Sequence, residues 1–329
     1  MAITGLDVCG LCLAAASLPV YGIFLFVLIR NRQKEPFCTP FFTYCLWQGA
    51  ADLVMWTHHE VIMKFRAWHW FGVGRLFLAH PRGWLPTYCV MSLWYFGNAQ
   101  MFGVINIAIN RFTALTFPTK LVWTKNRVRC CILMQWLLPF VVVAPMFGTT
   151  FSFLTNNNTN SVLLNFDDLN YRNRYYAFFG ICHGILGNLL VSLLYIISFY
   201  NVWKHRQSVS RHMSVSSREY SASPPWVSKT ELRLAFSGLM LFLVICLYAS
   251  FMLLSTTAAS SRDKYALNRY TRLGFLANDL ACLMNPWLLL CMSLPVRQHF
   301  VSLFYCGRRQ ANDIACPAAL LNADSPQYV

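Results

Sequence analysis

LAFSGLMLFLVICLYASFMLLSTT, residues 234–257, runs for 24 residues without a charged side chain. A helix needs about 20 apolar residues to cross ~30 Å of hydrocarbon, whereas a barrel strand needs only about 9–11. Lipid offers the backbone no hydrogen-bond partner, so a stretch this long must be a helix. Six further blocks read the same way, at about 8–29, 41–63, 85–110, 130–152, 176–201 and 274–294. The expectation is an all-α membrane protein: a seven-transmembrane helix bundle over residues 1–306, followed by a short tail, 307–329, expected to be disordered. The second and third blocks are the most polar, holding Asp52, His58, Asn98 and Gln100.

Composition agrees. The chain is 57% apolar and 12% charged, against roughly 25% charged in a soluble domain. A net charge of +15 would suit a nucleic-acid binder if the basic residues formed one patch. They flank the spans instead. Loops alternate between the two sides of the bundle, with 17 Lys and Arg residues on the side of Arg30, Arg111, Lys204 and Arg297, and 10 on the other. The positive-inside rule makes the richer side cytoplasmic, with the amino terminus outside and the tail inside. The lipid bilayer is the expected partner of these charges, and nucleic acid is not. Asn157-Asn158-Thr159 is an N-glycosylation acceptor in the loop between spans four and five, on the expected outer side. No basic residue precedes the first span, which is expected to act as its own uncleaved insertion signal. The 13 cysteines are odd in number and lie mostly inside spans, a pattern that does not support a disulfide framework.

Beyond span seven, Val296, Phe300, Leu303 and Phe304 share one helical face, and Arg297, His299 and Ser302 fall away from it. This predicts a short helix over about 296–306, lying in the inner interface. Cys306 at its end is a palmitoylation candidate, or equally an unmodified cysteine on a frayed helix. The serine-rich loop 202–233, with Pro224-Pro225, reads as flexible.

An ionisable residue inside a span costs roughly 2.5–3.5 kcal/mol on insertion scales, which makes Asp52 and Asp279 functional candidates. Span seven also carries Asn278 and Asn285-Pro286. Proline removes a helical hydrogen bond and kinks the helix, and a kinked helix can shift between two packings. The same polar residues would serve equally as glue between spans two and seven. A proton or cation relay through Asp52 and Asp279, as in a transporter or channel, is the alternative function. The internal repeat typical of many transporters is not visible.

His58, His59, Glu60, His69 and His80 crowd the outer end of span two and the loop after it, among Trp56, Trp68, Trp70 and Trp84. Adjacent His58 and His59 point to different helix faces and no fixed ligand spacing recurs, so no metal site is expected. The tryptophans read as an interfacial belt. No Gly-rich phosphate loop, His-Glu-x-x-His or nucleophile elbow is present. An intramembrane aspartyl protease would need a glycine-rich segment before one aspartate, and Phe275-Leu276-Ala277-Asn278 is not one. Neither catalysis nor a cofactor is expected.

Asn110-Arg111-Phe112 closes span three; an arginine at such a boundary ordinarily snorkels to the interface. In combination, the seven spans, Arg111, Asp52, Trp136 and Asn285-Pro286 resemble the rhodopsin-like receptor plan. Asn110-Arg111-Phe112-Thr113-Ala114 with Phe117-Pro118, Asn285-Pro286-Trp287 and Pro40-Phe41-Phe42 are similar to nematode serpentine chemoreceptors of the Srg/Srv type. The resemblance covers residues 8–305. It implies a G-protein-coupled chemosensory receptor at the plasma membrane, in sensory-neuron cilia. Such a receptor binds a small odorant or metabolite in the outer half of the bundle and activates a heterotrimeric G protein. By that resemblance Arg111 and Asn110, with Asn285 and Pro286, form the switch that meets the G protein. Asp52 joins Asn285 and Gln100 in a polar core, and Asp279 faces the ligand cavity. The chain also departs from the plan. Asn110 replaces the usual acidic residue, so the resting lock on Arg111 must be built differently or be weaker. Leu289 stands where the tyrosine of Asn-Pro-x-x-Tyr belongs, span six lacks its proline, and the cysteine pair of span three and the second outer loop is absent.

Overall fold

In the computed structural model, which describes residues 5–66, 72–117, 122–156, 161–179, 186–215, 229–260 and 264–309, the apolar blocks fold as long helices. These are α1 (Gly5–Asn31), α2 (Pro40–His58) continued by a π-helical turn (His59–Phe65), a short α3 (Val73–Ala79), and α4 (Trp84–Thr116). α5 (Lys125–Val143) follows, ending in a 3-10 turn (Ala144–Gly148), then the strands β1 (Phe151–Asn156) and β2 (Ser161–Phe166). The chain continues as α6 (Leu169–Phe179), α7 (Asn188–Val215), α8 (Lys229–Ser260), α9 (Lys264–Met292) and α10 (Leu294–Arg309). Among the described residues, four stretches are long and apolar enough to cross a membrane: α1, α5 with its 3-10 turn, and most of α8 and α9.

Local sequence sets the helix ends. Pro40 opens α2 behind an extended Thr39, where its missing N–H leaves no helical bond unmade. Thr124 caps α5 by accepting the N–H of Arg127 at 3.3 Å, satisfying one orphan donor of the first turn. Gly83 precedes α4 at φ 101°, a conformation that side-chain-bearing residues resist.

α9 is the most central of the four stretches: 56% of its most apolar window is buried, against 28% for α5 and 22% for α8. It packs on α8, α1 and α2, while α4 packs on α2, α5 and α7. Tyr21, Phe24 and Tyr44 are fully buried in the core between these helices. Outward, α5 exposes Leu133, Leu137, Phe140 and Val141, and α7 exposes Leu189, Leu193 and Ile196. Contiguous apolar surface of this extent is the face such a bundle turns to lipid. One end of the bundle gathers Asp7, the π turn and the start of α9; the opposite end gathers the start of α2, Arg111 and α10.

Two regions differ from the sequence reading. The fourth apolar block, 130–152, stops early, and Phe151 and Ser152 belong to an antiparallel β-hairpin in register Phe151↔Phe166 through Asn156↔Ser161. Phe151, Phe153, Val162 and Phe166 are buried and share one face of the hairpin, being two or four residues apart along their strands. The expected loop from 202 begins instead as helix, since α7 runs on to Val215; residues 202–215 contain no Gly or Pro to stop it.

Candidate functional site

A carboxylate in a lipid-embedded bundle accepts hydrogen bonds and donates none, so its neighbours must be donors. Asp52, wholly buried on α2, is surrounded by them. Tyr21 of α1 donates to Oδ2 at 2.8 Å, and Gln48, one helical turn earlier, donates to Oδ1 at 2.7 Å. Gln100 of α4 donates to the same Oδ1 at 2.8 Å and lies 3.5 Å from the Cys282 sulfur of α9. Asn285 of α9 stands beside the Asp52 carboxylate and the Tyr21 hydroxyl, its Nδ2 outside hydrogen-bonding geometry. Four helices therefore converge on one carboxylate. Gly103 makes room for this: a Cβ there would stand 1.8 Å from Gln48 Oε1. Pro286 follows Asn285 within α9, and one residue on, the Trp287 indole donates to Ser17 of α1 at 3.0 Å.

Arg111 does not snorkel. It is 4% exposed, its Nη2 donates to Asn110 Oδ1 at 2.7 Å, and its guanidinium lies 4.1 Å above the Phe41 ring of α2. The preceding residue is a neutral amide, Asn110, and the Phe41 ring adds a cation–π contact from α2.

The third cluster lies at the Asp7 end. Lys64, on the π turn, bridges Glu60 and Asp279, with Nζ 2.6 Å from Asp279 Oδ2. All three are buried. Gly10 of α1 lies directly over the pair, since a Cβ there would stand 2.8 Å from Asp279 Oδ2. His59 packs edge-on against Phe275 at 5.0 Å. His58 faces another way and contacts the Tyr88 hydroxyl at 2.9 Å. Arg272 pairs with Asp7 at 2.9 Å and joins α9 to the start of α1.

Of the residues singled out from sequence, Asp52 and Gln100 are hydrogen-bonded and Asn285 adjoins them, whereas Arg111 and Asp279 sit in separate clusters. Cys306 falls within α10, and Asn157 lies outside the described residues. Tyr21, Gln48 and Lys64 were not anticipated, and Glu60 was weighed only among possible metal ligands. The Glu60–Lys64 spacing of four was a visible signal, because it pairs charges on one helix face. Nothing in sequence marks Gly10 as the neighbour of Asp279.

Comparison with known proteins agrees with the bundle. The family described as "Serpentine type 7TM GPCR chemoreceptor Srv" matches residues 11–306. Serpentine receptor class V-1 of Caenorhabditis elegans is 31% identical over 287 residues, covering 86% of this chain and 85% of that protein. Apolar helices and this match together make the chain a multi-pass membrane protein, and it belongs to the Srv family of serpentine seven-transmembrane chemoreceptors.

Proposed function

We propose that this chain is a G-protein-coupled chemosensory receptor of the plasma membrane. It has seven spans with the amino terminus and the Asp7 end outside and α10 in the inner interface, an orientation supported by the excess of basic residues on the side of Arg111. A small odorant or metabolite binds among the helices of the outer half. Binding alters how α1, α2, α4 and α9 pack around Asp52, and the change reaches Arg111 at the inner end, where a heterotrimeric G protein docks. The ligand contributes only its differential affinity for the two packings.

The observation that carries the reading is Arg111, a buried cation that donates to the Asn110 amide on its own helix and lies over the Phe41 ring of α2. The ring belongs to α2 and the guanidinium to α4, so a relative shift of these two helices remakes this contact. Asp52 supports the same reading, because a single carboxylate shared by α1, α2 and α4 and adjoining α9 couples their positions.

The test is a second-messenger assay on cells expressing the wild type and Arg111→Ala, across odorants and small metabolites, with membrane current recorded in parallel. A stimulus-dependent signal in the wild type, lost in the variant at equal surface delivery, is the expected result. A current abolished by Asp52→Asn or Asp279→Asn, with no messenger response, overturns the reading.

A further inference from the structure

The cluster at the Asp7 end holds two carboxylates, Glu60 and Asp279, against one ammonium, Lys64. Beside them is an imidazole. One donor atom each from His59, Glu60 and Asp279 lie within 4.8 Å of one another, and all three residues are buried. Two of these groups have capacity to spare: His59 Nδ1 and Asp279 Oδ1 make no hydrogen bond. Unused polar atoms at such depth are costly, and here they belong to residues that converge on one point.

We propose that His59, Glu60 and Asp279 form a binding site for a divalent cation of the zinc class, which enters by displacing the ammonium of Lys64. The donor set is one nitrogen and two carboxylate oxygens, a combination typical of zinc, with ligands at about 2.0–2.2 Å from the ion. Closing the set around one ion takes side-chain adjustment on the order of 1 Å. Charge favours the exchange, because two carboxylates balance a divalent ion fully and the lysine only by half. Magnesium fits poorly, since it demands near-ideal octahedral oxygen ligation and gives up water reluctantly. Lys64 is on a long flexible stem and can withdraw. The bound ion would tie the π turn to α9 in place of the lysine, and the site stands whether or not the chain signals.

The test is calorimetric titration of the purified full-length protein in detergent micelles with zinc chloride, with magnesium chloride as control. The variants are Lys64→Met, His59→Gln and Asp279→Asn, their folding checked by thermal unfolding without metal. Zinc is expected to bind once per chain and magnesium not at all. Lys64→Met removes the competing cation and tightens binding. His59→Gln loses a direct ligand and weakens binding by at least the roughly 10–100-fold that losing an outer-shell partner costs a metal site. If Lys64→Met does not fold, His59→Gln and Asp279→Asn against wild type decide alone. Zinc binding unchanged in both of those variants belongs to exposed cysteines such as Cys9, Cys12 and Cys38 and overturns the proposal. No zinc binding to the wild type or to any folded Lys64→Met protein overturns it as well.

Discussion

Asp52 and Asp279 are both buried, on helices that touch, yet the chain neutralises them in different ways. Asp52 is met by three neutral donors, Tyr21, Gln48 and Gln100, each from a residue with no charge of its own. Asp279 is met by a full ammonium, which a second carboxylate also claims. The first arrangement ties helices together with bonds that are individually modest and collectively directional. The second stores a large attraction against a large desolvation cost, so its net effect depends on every member being present. A hub of neutral bonds can re-form after a helix shifts. A buried ion triad gives way only to a group that replaces the lost charge, which suits it to tying α2 and α9 together.

Lys64→Met should break that contrast most forcefully. Removing one partner of a buried ion pair leaves uncompensated charge and costs about 3–5 kcal/mol, read as a loss of thermal stability in the purified protein. Adding Asp279→Asn should restore part of it. If Lys64→Met proves milder than a change at Asp52, the two clusters do not differ as argued. Asp52→Asn keeps the shape but turns an amide donor toward existing donors. About 1–3 kcal/mol is expected, with the loss shared by Gln100→Ala when the two are combined. Phe41→Leu removes the ring under Arg111, worth about 0.5–2 kcal/mol for a cation–π contact. Its sharper readout is signalling without stimulus, which should rise above wild type.

The smallest effect lies in the hairpin. Hydrogen bonds from Ser152 and Thr150 hold the exposed Asp167 carboxyl below its ordinary range. A depressed value means this contribution is present above the unfolded pKa, about 3.9, and is lost as pH falls through the lowered folded value. Amide exchange across β1 and β2 should therefore quicken only in strong acid. Ser152→Ala should move that onset upward, and an onset that stays put would remove Ser152 from the explanation.

The bundle was legible because its decisive signal, long runs of apolar residues, needs no knowledge of partners. Asp52 and Asn285-Pro286 stood out for the same reason, as polar residues in apolar surroundings. Tyr21 and Gln48 did not, since a tyrosine in a span reads as core and becomes a donor only once α1 is packed on α2. Lys64 falls just past the second apolar block, where basic residues normally reach for water. Its burial depends on Asp279, which arrives from the far end of the chain. The hairpin hid behind length: an apolar run from 130 to 152 looks continuous, and the alternation of Phe151 and Phe153 becomes informative only beside Val162 and Phe166. α7 outran its block because helix formation needs no hydrophobicity, only the absence of breakers.

The π turn at His59–Phe65 has a consequence for chain length. Such a turn is an α-helix holding one residue more than its bonding needs. Removing a residue between Glu60 and Lys64 would let the helix close into regular register, and the chain beyond Phe65 would keep its facing, because the wide turn had already absorbed the surplus. Removing one from the regular part of α4 would instead turn everything beyond it by about 100°. Chain length is therefore forgiving at this turn and fixed along the regular helices, where one lost residue carries every later side chain to another face.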